Sequence, residues 1–449
     1  MMASKRPGGH PRTPYQPSRD LDLMRIQHGI WVRTRDSRVA VEGLFQDLTR
    51  DDLLAAAWQR VRSSPGAESA GVDGMRCSDW PAARRLSALR NELQSGTYAP
   101  LPARPIDLPR PRGKGPRRIG VLVVEDRIVH TAMRFVLEPV LDPRFHPSSF
   151  GYRPGRSSTV ALQELRRQLG ALPHDAWVWG HDVQDCFPSI RHRTLLRQLR
   201  RFVRDPQVET LLRTILRLPG GEGRRFRARG ILQGSPLSPM LCNLALHSLD
   251  AKLGSFGRKH PGGTFLRYAD DLIFVGNDRK SVRRLAAGAR GACRRLGLRL
   301  VPSSPGAMQA RDGIRWLGVD LAFQPGSWSP AESYRCRIPP DKADRWRAEV
   351  QQICSRIRHA RKRSVPHHHR GPIDASPLRN QLLAWFQAYA HTDNAGSVFR
   401  DLEDAAESVL GSTRGADWRL GLNGSETNAR NPLRWTPRRP RWARMGARS

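Results

Sequence analysis

The stretch "FLRYADDLIFVG", residues 265–276, sets two adjacent carboxylates inside an otherwise apolar run. Phe265 and Leu266 precede the pair, and Leu272 to Val275 follow it. The pattern reads as strand, turn, strand: a β-hairpin with Asp270 and Asp271 at its tip. Taken alone, such a pair is most often only a polar turn. A second stretch changes the weighing. "WVWGHDVQDCFPSI" (177–190) is another apolar segment broken by acid, with a strand through Trp177 to Trp179 and Asp182 at its end.

Carboxylates in such settings suit one chemistry well. Two divalent ions about 3.5–4 Å apart can clamp an in-line phosphoryl displacement. One activates a 3′-hydroxyl, and the other neutralises a triphosphate and its departing pyrophosphate. Hard oxygen ligands suit Mg²⁺, which keeps substrate oxygens in its shell. Asp182 and Asp270 can share ions only in a fold that brings a strand end beside a hairpin tip. Spacing alone does not establish that.

The charge balance points the same way. Lys and Arg number 76 against 41 Asp and Glu, for a net charge of +35 over 449 residues. That exceeds what solubility needs and favours a polyanionic partner, nucleic acid ahead of an anionic membrane. No run approaches the ~18 apolar residues of a membrane span. The N-terminal "MMASKRPGGHPRTPYQPSRD" has no apolar core and reads as a basic lead, not a signal peptide. Six scattered cysteines without a C-x-x-C pair fit reduced thiols in the cytoplasm. "HHH" at 367–369 lies in a basic, Pro/Gly-containing stretch and reads as a solvated linker.

Length predicts more than one domain. Short helices are expected within 38–64, then a turn-rich "GVDG" at 71–74, with strands and helices interleaved from about 100 to 325. In "RKSVRRLAAGARGACRRLG" (279–297), Val282, Leu285, Ala286, Ala289, Cys293 and Leu296 share one helical face, with Gly297 as the stop. A linker is expected over 361–377, and helices over 378–391 and 396–410. The last twenty residues hold seven arginines, two tryptophans and no acid.

At the level of motifs the chain resembles reverse transcriptases of the group II intron and group II-like bacterial lineage. "YADD" (268–271) matches the catalytic hairpin box, and "DVQDCF" (182–187) the box with the first metal ligand. "QGSPLSP" (233–239) matches the Gln-Gly block. The stretch 107–158 resembles the fingers, with D-R-I-V, L-E-P and G-Y-R-P-G-R signatures. "GVDG" resembles the N-terminal extension, and "WLGVDL" (316–321) the last palm block. The resemblance spans about residues 50–325, in the family's order.

The resemblance implies an α+β right-hand polymerase with fingers, an antiparallel palm sheet and a helical thumb. The expected divisions are a disordered basic tail (1–20), the N-terminal extension (21–100), fingers (101–180), palm (181–325), thumb-like helices (326–410) and a basic tail (411–449). It implies an RNA-directed DNA polymerase that extends a DNA primer with dNTPs on an RNA template. It implies two Mg²⁺ ions as cofactor, with Mn²⁺ as a substitute. Asp182 and Asp270 would ligate both ions with help from the Val183 carbonyl, and Asp271 would support them. Arg110, Arg117, Asp185, Cys186, Phe187 and Gln233 would surround the dNTP, with Phe187 excluding a 2′-hydroxyl. Plain core is the competing role for Phe187, and a template contact for Arg110. Arg153, Arg156 and Tyr268 would meet nucleic acid, as would Arg434, Trp435, Arg438, Arg439 and Trp442 of the tail through charge and stacking.

One departure stands out. The family's lysine after the hairpin, thought to protonate pyrophosphate, has no counterpart in "LVPSSPGAM" (300–308), which leaves Arg311 as a substitute. No endonuclease-like His/Asn/Cys array follows the thumb region. A free-standing enzyme in anti-phage defence or repair is the favoured setting. A maturase-like splicing cofactor bound to a structured intron or non-coding RNA is the alternative.

Overall fold

The computed structural model describes residues 21–35, 40–108, 116–172, 175–217, 228–259, 262–324, 333–364 and 375–410. Arg110 and the two basic tails lie outside them. The chain divides into two compact units. The first comprises residues 1–165 and 177–308, the second 166–176 and 309–449.

The first unit holds six strands that matter for the site. β1 (Arg104–Leu108) and β2 (Arg117–Val121) form an antiparallel pair. β3 (Trp177–Gln184), β4 (Gly263–Tyr268), β5 (Asp271–Gly276) and β6 (Arg299–Pro302) form the main path of a second antiparallel sheet, in the order β4-β5-β3-β6. The expected hairpin is therefore present, and the strand carrying Asp182 lies directly beside it.

Period-two alternation gives this sheet two distinct faces. Phe265 faces Phe274, and Arg267 faces Leu272 across the hairpin. Phe265, Leu272 and Phe274 join one core with Val282, Leu285 and Ala289 of the helix Arg279–Leu296. The six residues expected on that helix's inner face are all buried, and Gly297 ends it in a left-handed conformation at φ 77°. A second helix, Ser238–Lys259, packs along the first. Tyr268, Asp271 and Asp182 belong to the other face.

The helix Val124–Leu141 is buried along almost its whole length and anchors the N-terminal helices Leu21–Thr34 and Asp51–Arg62. The "GVDG" turn is tied down beside it. Arg127 donates to the carbonyls of Leu122, Gly66 and Ser69, and Arg104 donates twice to the carbonyl of Ala70. A Cβ on Gly71 would collide with Val123, so the turn needs glycine there.

In the second unit, strands Ile314–Trp316, Val319–Phe323 and Tyr334–Arg337 form an antiparallel sheet with Val319–Phe323 in the middle. The "WLGVDL" block makes its tight turn. Leu317 and Gly318 both have positive φ, at 51° and 74°, the pattern of a type I′ hairpin. Helices Pro340–Ser364, Ser376–Tyr389 and Ala395–Leu410 close around Val350, Leu378, Leu382 and Phe399. Trp346 stacks on Trp385 at 4.8 Å. Residues 361–364, expected to be linker, instead complete the first of these helices, because the Arg/Lys-rich stretch has good helix propensity.

Candidate active site

The sheet register brings the separated carboxylates together. Asp182 on β3 lies directly opposite Asp271 on β5, and the Val183 amide donates to the Asp270 carbonyl at 3.0 Å. Directly opposed residues of an antiparallel pair have Cβ atoms about 4.5–5.5 Å apart, on one face of the sheet. The turn itself is tight. Tyr268 pairs with Asp271, leaving Ala269 and Asp270 as its two central residues. Ala269 has φ 58°, a left-handed backbone that alanine rarely adopts.

Two further non-glycine residues have such backbones, Asp185 (φ 45°) three residues after Asp182, and Tyr152 (φ 60°). Tyr152 meets Phe187 edge-on, with ring centroids 6.4 Å apart. Strained backbones persist where the surrounding structure over-determines them, and they gather at functional sites.

The turn is held from behind by an arginine that the motifs do not single out. Arg267 is fully buried on the face opposite Asp271. Its guanidinium donates to both oxygens of the equally buried Asp250, at 2.7 and 2.5 Å. It also reaches Asn243 Oδ1 (2.9 Å), Ser149 Oγ (2.7 Å) and the carbonyl of Ala269 itself (2.6 Å). Burial opposes its charge, but Asp250 outweighs that and holds the pKa above the ordinary arginine value. An arginine three residues before Asp270, preceded by an apolar helix whose one acid is Asp250, was the available signal.

The G-Y-R-P-G-R loop is locked to the same turn. Phe150 N donates to the Arg267 carbonyl at 2.8 Å, and Arg267 N to that of Ser148 at 2.8 Å. Asn243 Nδ2 donates to the Gly151 carbonyl. A Cβ at Gly151 would strike the backbone of Ala269, so only glycine permits this approach.

Arg153 requires a correction. Read as a nucleic-acid contact, it is instead buried, with its side chain fully covered. It donates to Asp142 Oδ1 at 2.6 Å and to the carbonyls of Asp142, His146 and Ser149. These partners, drawn from one loop, make it a brace of the fold. Arg156 is half-buried, donates to the carbonyls of Pro147 and Ser149, and lies over the Phe150 ring at 5.0 Å. Burial draws its pKa down to about 10. Tyr152, Arg153, Arg156 and Tyr268 line one cavity of about 340 Å³ beside the turn.

Among the expected nucleotide contacts, Phe187 is buried at 6% exposure within the core, on the short helix Cys186–Ser189. The Cys186 thiol is buried 3.7 Å from that of Cys242. The Gln233 carbonyl accepts from Gly120 N at 2.7 Å, which seats the Gln-Gly loop on β2. Gly234, at φ 105°, packs so closely that a Cβ would meet the Gly120 carbonyl. His130, fully buried and pushed down to about 3 by that burial, meets Ser235 Oγ at 2.8 Å and steadies the same loop. Arg117 opens β2. Arg311 belongs to the second unit.

The donor set fits a hard divalent cation, being all carboxylate and carbonyl oxygen. Among the described residues, no three or more His, Cys, Asp or Glu side chains gather closely enough to form a metal site by themselves. No described helix is long and apolar enough to cross a membrane.

The reverse transcriptase (RNA-dependent DNA polymerase) family profile matches residues 109–321. Protein YkfC of Escherichia coli (strain K12) is 30% identical over 371 residues, 75% of this chain and 97% of that protein. Group II intron-encoded protein LtrA of Lactococcus lactis subsp. cremoris is 30% identical over 209 residues, 46% of this chain and 34% of LtrA. Retron Mx65 reverse transcriptase of Myxococcus xanthus is 36% identical over 157 residues, 31% of this chain and 33% of that enzyme. The chain thus spans about a third of the latter two and nearly all of YkfC. With the motif order, the antiparallel α+β sheet and the opposed carboxylates, these similarities show that the chain belongs to the reverse transcriptases, the RNA-directed DNA polymerases, on their group II intron-like branch.

Proposed function

We propose that the front face of the β3-β4-β5 sheet is the polymerase site, where a DNA primer is extended with dNTPs on an RNA template. The observation that carries this is the register placing Asp182 opposite Asp271, with Asp270 bonded through its carbonyl to Val183. Asp182, Asp270 and the Val183 carbonyl would hold Mg²⁺, with Asp271 alongside. Bound there, the ions would supply activation of the primer 3′-hydroxyl and charge neutralisation at the phosphates. The protein's own task is to keep these oxygens on one face and at one height. The β3-β5 pairing and the Arg267 anchor behind the turn serve that task.

Phe187 would lie under the sugar of the incoming nucleotide and favour dNTPs over rNTPs. Gln233 would sit beside the templating base, on a loop whose position β2 sets. Tyr268 and Arg156 would meet the nucleic acid at the cavity beside the turn. The buried free thiols suit a reducing cytoplasm.

The test is the double variant Asp270→Ala/Asp271→Ala, assayed on a DNA-primed RNA with dNTPs and Mg²⁺. Incorporation should be lost while RNA affinity persists, because the positive charge that attracts RNA lies elsewhere. Primer extension at the unmodified rate would show that the site is wrongly placed.

A further inference from the structure

The helix Arg279–Leu296, behind the sheet, carries a charge pattern that stability alone does not favour. It exposes Lys280, Arg283, Arg284, Arg294 and Arg295, with Arg279 on the flank beside the sheet, and the helix contains no acid. Four of these cations occupy its first two turns, at the positive end of the helix dipole, where acids are preferred. Arg279 with Arg283, and Lys280 with Arg284, are like-charge i,i+4 pairs, each unfavourable by about 0.2–0.5 kcal/mol. The preceding Asp278 caps the helix, its two oxygens accepting from Ser281 N at 2.7 Å and Ser281 Oγ at 3.0 Å. None of the six cations forms a salt bridge among the described residues. The adjoining helix Ser238–Lys259 ends in Arg258 and Lys259 and adds no acid in its last turn.

This surface faces away from the carboxylates. The guanidinium groups of Arg279 and Arg290 lie over Trp177 and Trp179, each at 5.7 Å. Those tryptophans alternate with Asp182 along β3 and point to the opposite face. The outer side of the helix exposes Ala287 as its apolar residue, which is too little to insert into a bilayer interface. Phosphates on a nucleic acid backbone match this array without any apolar partner.

We propose that the outer face of the helix Arg279–Leu296 is a second RNA-binding surface. It would hold the phosphate backbone of a folded RNA while the front of the sheet works on the primer and template. This goes beyond the polymerase reading, because it requires neither metal nor nucleotide.

The experiment uses the full chain and a variant carrying Arg279→Gln, Lys280→Gln, Arg283→Gln and Arg284→Gln. Each is first saturated with a short DNA-primed RNA template, and an unprimed stem-loop transcript is then titrated in. The unmodified protein should take up the second RNA. The variant should bind it at least about tenfold more weakly. Its slope of log K against log salt should be flatter by about 2–4, at roughly 0.9 for each phosphate that is no longer neutralised. Primer extension should be unchanged, and the thermal midpoint should hold or rise as repulsion is relieved. Arg283→Lys/Arg284→Lys should retain the second binding, since charge carries it. Three results would overturn the proposal. The variant could take up the stem-loop with unchanged affinity and slope. Its melting point could drop sharply, making the cations structural. It could lose phosphatidylserine-vesicle binding while stem-loop binding persists, making the face a membrane contact.

Discussion

Arg267 and Asp250 form a fully buried, two-pronged ion pair directly behind the Asp270–Asp271 turn. Neither side chain has any exposed surface. The same guanidinium holds the carbonyl of Ala269, so the pair links helix Ser238–Lys259 to a strained residue of the hairpin.

Removing one partner leaves an uncompensated charge in the core. Arg267→Met or Asp250→Asn should therefore destabilise the protein by about 3–5 kcal/mol. The double change Arg267→Met/Asp250→Leu should recover much of that loss, because desolvating the pair is itself unfavourable. Urea unfolding measures both. If the double variant is also folded but slow at saturating dNTP, the pair positions the turn as well as stabilising it. Equal stability of the single variants and the unmodified protein would refute the anchor.

Phe187→Val should relax sugar discrimination by opening the space beneath the sugar, read as the ratio of rNTP to dNTP incorporation. Phe187 is also a core residue, so Phe187→Ala should cost about 3–5 kcal/mol of stability. Valine keeps more of the packing and is the cleaner probe. An unchanged ratio in a folded valine variant places the sugar gate elsewhere.

Asp126 gives a pH signature in the N-terminal part of the fold. Burial raises its pKa to about 6, despite bonds from Tyr98 Oη at 2.5 Å and Leu101 N at 3.1 Å. An acid with a raised folded pKa binds its proton more tightly in the folded state. Its stabilising contribution is present below the unfolded value and is lost as pH rises towards 6. The loss is about 3 kcal/mol, at about 1.4 per pKa unit. Asp126→Asn should flatten the stability curve between pH 4 and 6 in equilibrium unfolding. A slope identical to that of the unmodified protein would show that Asp126 does not titrate in this range.

The Arg/Trp tail lies outside the described residues, and its test is functional. Deleting residues 430–449 removes seven arginines. RNA affinity should weaken, and its salt dependence should flatten. Incorporation at saturating primer–template should hold, because the tail lies beyond the matched polymerase blocks. Intact affinity and slope would make the tail a bystander. Loss of folding would mean that Trp435 and Trp442 are core residues.

Local periodicity was enough to reveal much of this protein. The hairpin of residues 265–276 was legible because alternation and a polar turn are properties of adjacent residues. The inner face of helix 279–296 and its Gly297 stop were legible for the same reason. The motif order carried the family, since each block is short and contiguous. Only the tertiary structure decided the rest. The pairing of Asp182 with Asp271 is a long-range register that neither segment encodes alone. Arg153 looks in sequence like any other arginine of a strongly basic chain, and the position of Arg267 near the acids does not by itself say that it is buried. Asp142, 11 residues before Arg153, and Asp250, 17 residues before Arg267, make both of them buried anchors once the chain folds back on itself, because a charge leaves water only where a partner is held against it.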